Sequence, residues 1–111
     1  MIDNRLLELA AKAASLEVRH FALSGFNIMS GNDMGKTWNP LTDDGDALRL
    51  AIKLNLKIVP DPEMLRTEVE YGEDELGDPK WLAVHWEDLD ACAATRLAIV
   101  KAAAVIGRGM P

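Results

Sequence analysis

The chain has 111 residues, 49% of them hydrophobic and 27% charged, with a formal net charge of −6. That size suits one core and is too small for two, so a single domain spanning 1–111 is expected. The composition excludes a disordered chain. The acidic balance argues against nucleic acid as a partner, because a negative surface repels phosphate.

The first element is a helix over about 4–16. Leu6, Leu9, Ala10 and Ala13 fall on one stripe, Asp3 stands at the N-cap position, and Ile2 and Leu7 at the positions of a hydrophobic staple. The opening Asp3-Asn4, then Glu8 and Lys12, lacks the charged-then-apolar order of a signal peptide. No run approaches the roughly 18–20 apolar residues of a membrane span. No membrane partner is expected, and a single cysteine, unable to form an internal disulfide, fits a reducing cytoplasm.

From Val18 to Met29, apolar and polar residues alternate on both sides of Gly25, which predicts two short extended pieces about a turn or bulge. Ser30 to Lys36 is rich in Gly, Asn and Asp and reads as a loop. After Trp38-Asn39-Pro40, Thr42 or Asp43 can cap a helix over about 43–54, with Ala47, Leu48, Ala51 and Ile52 on its apolar side. Leu56 to Val59 forms a short strand ended by Pro60-Asp61-Pro62. Strict alternation from Leu65 to Tyr71 predicts a strand with one buried and one wet face, the mark of an antiparallel sheet. Gly72 to Pro79 is turn-rich, and Lys80 to Trp86 is a further strand. Asp88 or Asp90 caps a last helix running to about Ile106, with Leu89, Ala93, Leu97, Val100 and Ala104 on its inner stripe and Gly107 or Gly109 at its end. Helices at both ends with consecutive antiparallel strands between them make an α+β fold, a layered helix–sheet sandwich with a small, mainly antiparallel sheet flanked by helices.

The run from Trp38 to Leu50 (WNPLTDDGDALRL), the polar connection and strand after it, the run from Ala94 to Ala104, and the opening Leu6 to Ala14 (LLELAAKAA) together resemble a family of small proteins of tailed bacteriophages and prophages, the phage ABA sandwich domain and its uncharacterised relatives. The resemblance covers most of the chain apart from 18–36, which looks like an elaboration particular to this member. It implies an α+β sandwich of phage or prophage origin acting in the cytoplasm of a host bacterium, and it brings no activity with it.

Candidate chemistry fails on spacing. Asp43, Asp44 and Asp46 do not form a calcium loop: Gly45 is third in the run, and the twelfth position from Asp43 is Leu54. Helix capping accounts for the three acids. Asp61 with Asp78-Pro79-Lys80 superficially matches a metal-dependent nuclease, but both acids adjoin prolines and read as turns. Gly35-Lys36-Thr37 ends like a phosphate loop, yet the position where the earlier glycine belongs is Ser30. His20 and His85 assemble no triad, and the lone Cys92, among alanines, reads as a small buried hydrophobe. The candidate basic patch of Arg96, Lys101 and Arg108 reads as helix-end solvation. No cofactor is implied.

Three tryptophans in a chain with two phenylalanines and one tyrosine point to binding surfaces. Trp38 and Trp81 fit an interface or the core equally, while Trp86 fits the core. If Leu82, Val84 and Trp86 face the core, Trp81 and His85 share the opposite face. The candidate binding residues are therefore Trp38, Trp81 and His85. Two functions remain: a phage accessory protein that binds a protein (a host or defence component, or itself as a homodimer), and a small enzyme or ligand-binding protein with a pocket near Trp81, His85 and the Asp-rich helix start. The first predicts that Trp38 or Trp81 can be cut to Ala without loss of folding.

Overall fold

The computed structural model describes residues 3–87 and 89–111. In chain order the elements are α1 (Asp3–Ala13), β1 (Val18–Phe21), β2 (Gly25–Ile28), α2 (Asp44–Lys53), β3 (Lys57–Asp61), β4 (Arg66–Glu73), β5 (Pro79–His85) and α3 (Ala91–Arg108). The sheets are an antiparallel hairpin, β1-β2, and an antiparallel three-stranded sheet in the order β3-β4-β5. The fold is α+β, as the alternation of stripes and strands requires.

Local chemistry sets the helix ends. Asp43 caps α2 by accepting the Asp46 N–H, and Asp90 caps α3 by accepting the Ala93 N–H at 2.6 Å. The suggested staple at Ile2 and cap at Asp88 lie outside the described residues. α1 and α2 close on residues in the left-handed region, Ser15 and Asn55, where Leu16 and Leu56 turn their N–H groups back to Ala11 and Ala51.

α3 organises the core. It packs on the inner face of the three-stranded sheet, and α1 and α2 pack on α3, so the helices gather on one side of that sheet. Being covered on two sides, α3 buries Ala94, Ala98, Ile99, Val100, Ala102, Ala103, Ala104 and Gly107, far more of its circumference than a single stripe. The expected stripe is corrected at its start: Leu89 is exposed and precedes the helix, which runs on to Arg108. Small residues permit a close crossing of α3 and α1. A Cβ on Gly107 would fall onto the Leu9 carbonyl oxygen. Gly107 therefore lies inside the helix, and Gly109 is its C-cap.

Among the described residues, one fully buried polar residue lies on the inner sheet face. Thr67 of β4 is fully buried; its hydroxyl lies 2.7 Å from that of Thr95 on α3 and accepts the Trp86 indole N–H at 3.0 Å. These bonds satisfy the groups that burial strips of water and pin α3 to the sheet in one register. Phe26, Ile28 and Trp38 bring β2 and the following loop into the same core as Leu7, Ala10 and Ala14.

Candidate functional site

The strand registers decide what the three-stranded sheet shows to its surroundings. Thr67 and Val69 pair with Val84 and Leu82 on the inner face. Alternation then puts Arg66, Glu68 and Glu70 of β4 on the outer face, beside Lys57, Val59 and Asp61 of β3 and Trp81, Ala83 and His85 of β5. No helix among the described residues packs there. Trp81 keeps 51% of its surface exposed and Val59 36%. The charges around them are paired: Arg66 with Glu68 at 2.7 Å, and Lys57 with Glu70 at 3.7 Å. The Arg66 guanidinium carbon lies 6.0 Å from the centre of the Trp81 ring, at the outer limit of a cation–π contact that favours one ring position. Trp81 and His85 share this face, as the spacing of β5 implied.

Trp38 goes elsewhere. It is 4% exposed, packed with Phe26 and Ile28 on the helix side of the fold. The Trp38 N–H bonds to the Phe26 carbonyl at 2.8 Å, which extends the hairpin side of the core. An indole so enclosed is not a docking side chain, and contrary to expectation its removal would open a cavity in the core rather than spare the fold. Its visible edge lines a cleft of about 810 Å³ between α2, β2 and the loop over 33–43.

The cleft takes in the Asp-rich helix start but neither Trp81 nor His85. The pocket that sequence reasoning drew around all of these is thus divided between opposite sides of the sheet. Its charges largely neutralise one another. Arg49 donates to Asp46 at 2.8 Å and lies 3.8 Å from Asp43, and Lys36 meets Asp33 at 3.0 Å. The Asp46 hydrogen bond pushes the Arg49 pKa above its ordinary value; loss of hydration opposes it, and the negative charges of Asp46, Asp43 and Asp33 add to the rise. Asp46 also accepts the Asn39 N–H at 2.9 Å, and Asp44 holds Arg96 of α3, whose Nε donates to the Leu41 carbonyl at 2.8 Å. All three acids are therefore occupied in fixing α2. Among the described residues no group of three or more His, Cys, Asp or Glu could hold a metal ion.

Topology disposes of the nuclease arrangement. Asp61 pairs with Arg66 at one end of β4, while Asp78 adjoins Pro79, which pairs with Glu73 at the other end. Asp61 instead accepts the N–H groups of Glu63 and Met64 in the turn after β3. Arg96 is engaged with Asp44, which leaves only Lys101 and Arg108 exposed from the suggested basic patch.

Cys92 corrects another expectation. It is exposed in the first turn of α3, whose inward positions begin at Ala94. Its alanine neighbours indicated an apolar surround, but they are neighbours along the chain, and the helix turns Cys92 outward.

The free edges of the sheet carry a feature that residue patterns concealed. Trp86 donates its N–H to the Leu65 carbonyl at 2.9 Å, which sets the phase of the β4–β5 ladder: even-numbered residues of β5 bond to β4, and Trp81, Ala83 and His85 turn their N–H and C=O groups to the open edge. No described residue hydrogen-bonds to them. By the same phase, β4 turns Arg66, Glu68 and Glu70 towards β3, so the residues of β3 at the other open edge are Ile58 and Pro60. Pro60 has no N–H, so it blunts that edge and passes through the strand that it was expected to end. β5 has its only proline at the first position.

No protein-family model, curated protein or solved structure matches this chain. No helix of the described residues is long and apolar enough to cross a membrane.

Proposed function

We propose that this chain is a non-enzymatic binding protein that docks a protein against the outer face of its three-stranded sheet. The observation that supports this reading is the uncovered face around Trp81, a half-exposed indole set among paired charges. A large ring that can bury its surface while its neighbours' charges stay satisfied is the usual make-up of an interface hot spot. The resemblance of the Trp38–Leu50 run and the flanking helices to tailed-phage and prophage proteins suggests the setting: an accessory protein whose target is a host or defence protein in the bacterial cytoplasm.

The test begins with capture from host lysate, identification of the captured protein, and titration of the purified pair. Trp81→Ala, at an exposed position, is expected to leave the melting temperature within a few degrees and weaken binding by a factor of about 30, the size of a hot-spot loss. Unchanged affinity in Trp81→Ala would remove the reading.

A second reading is favoured by the cleft beside Trp38. Its volume of about 810 Å³ is of the size that small-molecule sites occupy, roughly 300–1,000 Å³. Stabilisation by a metabolite in a thermal-shift screen, abolished by Lys53→Ala on the cleft wall, would support a ligand-binding protein instead.

A further inference from the structure

We propose that the open edge of β5 pairs with β5 of a second copy, joining two three-stranded sheets into one continuous sheet across a two-fold axis at Ala83. This inference rests on the reading that the three-stranded sheet docks a protein on its outer face around Trp81, and it adds an occupant for the adjoining edge.

Hydrogen-bond phase selects the register. An added antiparallel strand satisfies the edge when residues with outward N–H and C=O groups face one another, and these are Trp81, Ala83 and His85. Centred on Ala83, a second β5 sets Ala83 opposite the partner's Ala83, Trp81 opposite the partner's His85, and His85 opposite the partner's Trp81. Every outward group of the three residues then finds a partner. Moving the axis to Leu82 leaves His85 opposite the partner's Pro79, which has no N–H. Moving it to Val84 carries Trp81 past the strand end to the partner's Glu87, where the chain has already turned to bond Leu89 back to Trp86.

Side chains agree with that register. Leu82 comes opposite the partner's Val84, which continues the apolar inner face. Ala83 is small enough for the two copies to meet at the axis, and Trp81 covers the partner's imidazole on the outer face. The one lysine of the strand, Lys80, comes opposite the partner's Trp86 rather than another charge, and β5 contains no carboxylate. Each copy is acidic as a whole, but the pairing strand itself sets no like charges opposite each other. The other edge cannot serve, because Pro60 faces outward there. One blunted edge and one open edge give a closed dimer rather than a growing ribbon.

Strand pairing plus two half-exposed tryptophans belongs to the small class of interfaces, below about 1,200 Å², so a concentration-dependent dimer in the micromolar range is expected. Sedimentation of the full chain from about 1 to 500 µM should show the dimer growing in, with hydrogen exchange at the Trp81, Ala83 and His85 amides slowing over the same range. Ala83→Pro removes an N–H that the monomer does not use. It should leave the helical signal intact and the protein monomeric throughout. Ala83→Lys and Ala83→Glu should each weaken dimerisation at least tenfold by placing like charges at the axis, and an equimolar mixture of the two should dimerise again. That rescue also carries the test if the proline variant fails to fold.

A wild-type monomer over the whole range overturns self-pairing, as does an Ala83→Pro dimer or a mixture of the charged variants that stays monomeric. If the wild type is monomeric but its β5 amides become protected by a captured protein, self-pairing fails while the protein-binding reading stands. If they are protected in neither case, self-pairing fails, and the protein-binding reading stands or falls on whether Trp81→Ala weakens binding of the captured protein.

Discussion

Gly107→Ala is expected to destabilise the protein, although the same change in an exposed helix interior stabilises by about 1 kcal/mol. The position is the last but one of α3, where that helix crosses α1. The new Cβ would land on the Leu9 carbonyl oxygen, with the Leu9 carbonyl carbon 2.9 Å and the Ala13 nitrogen 3.3 Å away. These are backbone atoms inside a helix, so no side chain can turn aside. α1 and α3 must separate by roughly 1 Å, a gap that forfeits a quarter to a half of the dispersion energy of the atoms facing it. Overpacking of this kind costs about 1–3 kcal/mol net. For a domain of this size the melting temperature should fall by about 5–15 °C. Gly109→Ala is the control: it adds the same methyl group with ordinary contacts of 3.6 and 3.9 Å to the carbonyls of Ile106 and Val105, and should shift the melting temperature by no more than a few degrees. Thermal and urea unfolding followed by circular dichroism would measure both. A Gly107→Ala protein as stable as wild type would refute the close crossing of α1 and α3.

Thr67→Val keeps the shape but strips the Trp86 indole N–H and the Thr95 hydroxyl of their buried partner, and should cost about 1–3 kcal/mol in urea unfolding. Trp38→Ala removes a buried indole and should cost about 3–5 kcal/mol, enough to populate the unfolded state, whereas Trp81→Ala should be near neutral. Asp90→Ala removes the α3 cap and should lower stability by about 0.5–2 kcal/mol. Cys92, being exposed, should react with a thiol reagent in the native protein about as fast as in denaturant; strong native protection would contradict its placement.

The strand periodicities were legible because they are local. Alternation from Leu65 to Tyr71 placed Thr67 and Val69 inward, though Leu65 itself is exposed and precedes the strand, and the spacing of β5 put Trp81 and His85 on the opposite face. A short polar side chain before each helix signalled the caps, as Thr42 or Asp43 and as Asp88 or Asp90, and the structure selects Asp43 and Asp90. Misreadings arose where an inference about surroundings was made from sequence neighbours. Cys92 among alanines faces solvent, and Trp38, which fitted an interface or the core equally, is core, because helical turn and chain path determine what each side chain meets. Alanine signals a helix without saying how many sides are covered; α3 reads as one stripe and is packed by the sheet on one side and by helices on another.

By itself the sequence determined the class of the fold, the inner and outer residues of its clearest strands and the failure of each catalytic spacing, since all of these depend on residues near one another in the chain. Only the tertiary structure decided that Gly107 meets Leu9, that Thr67 meets Thr95, and that Asp61 and Asp78 lie at opposite ends of the sheet. It alone showed which edge of the sheet is open. That depends on the phase of a hydrogen-bond ladder: Pro60 and Ala83 both turn their backbone groups outward, and only Ala83 has an N–H to offer.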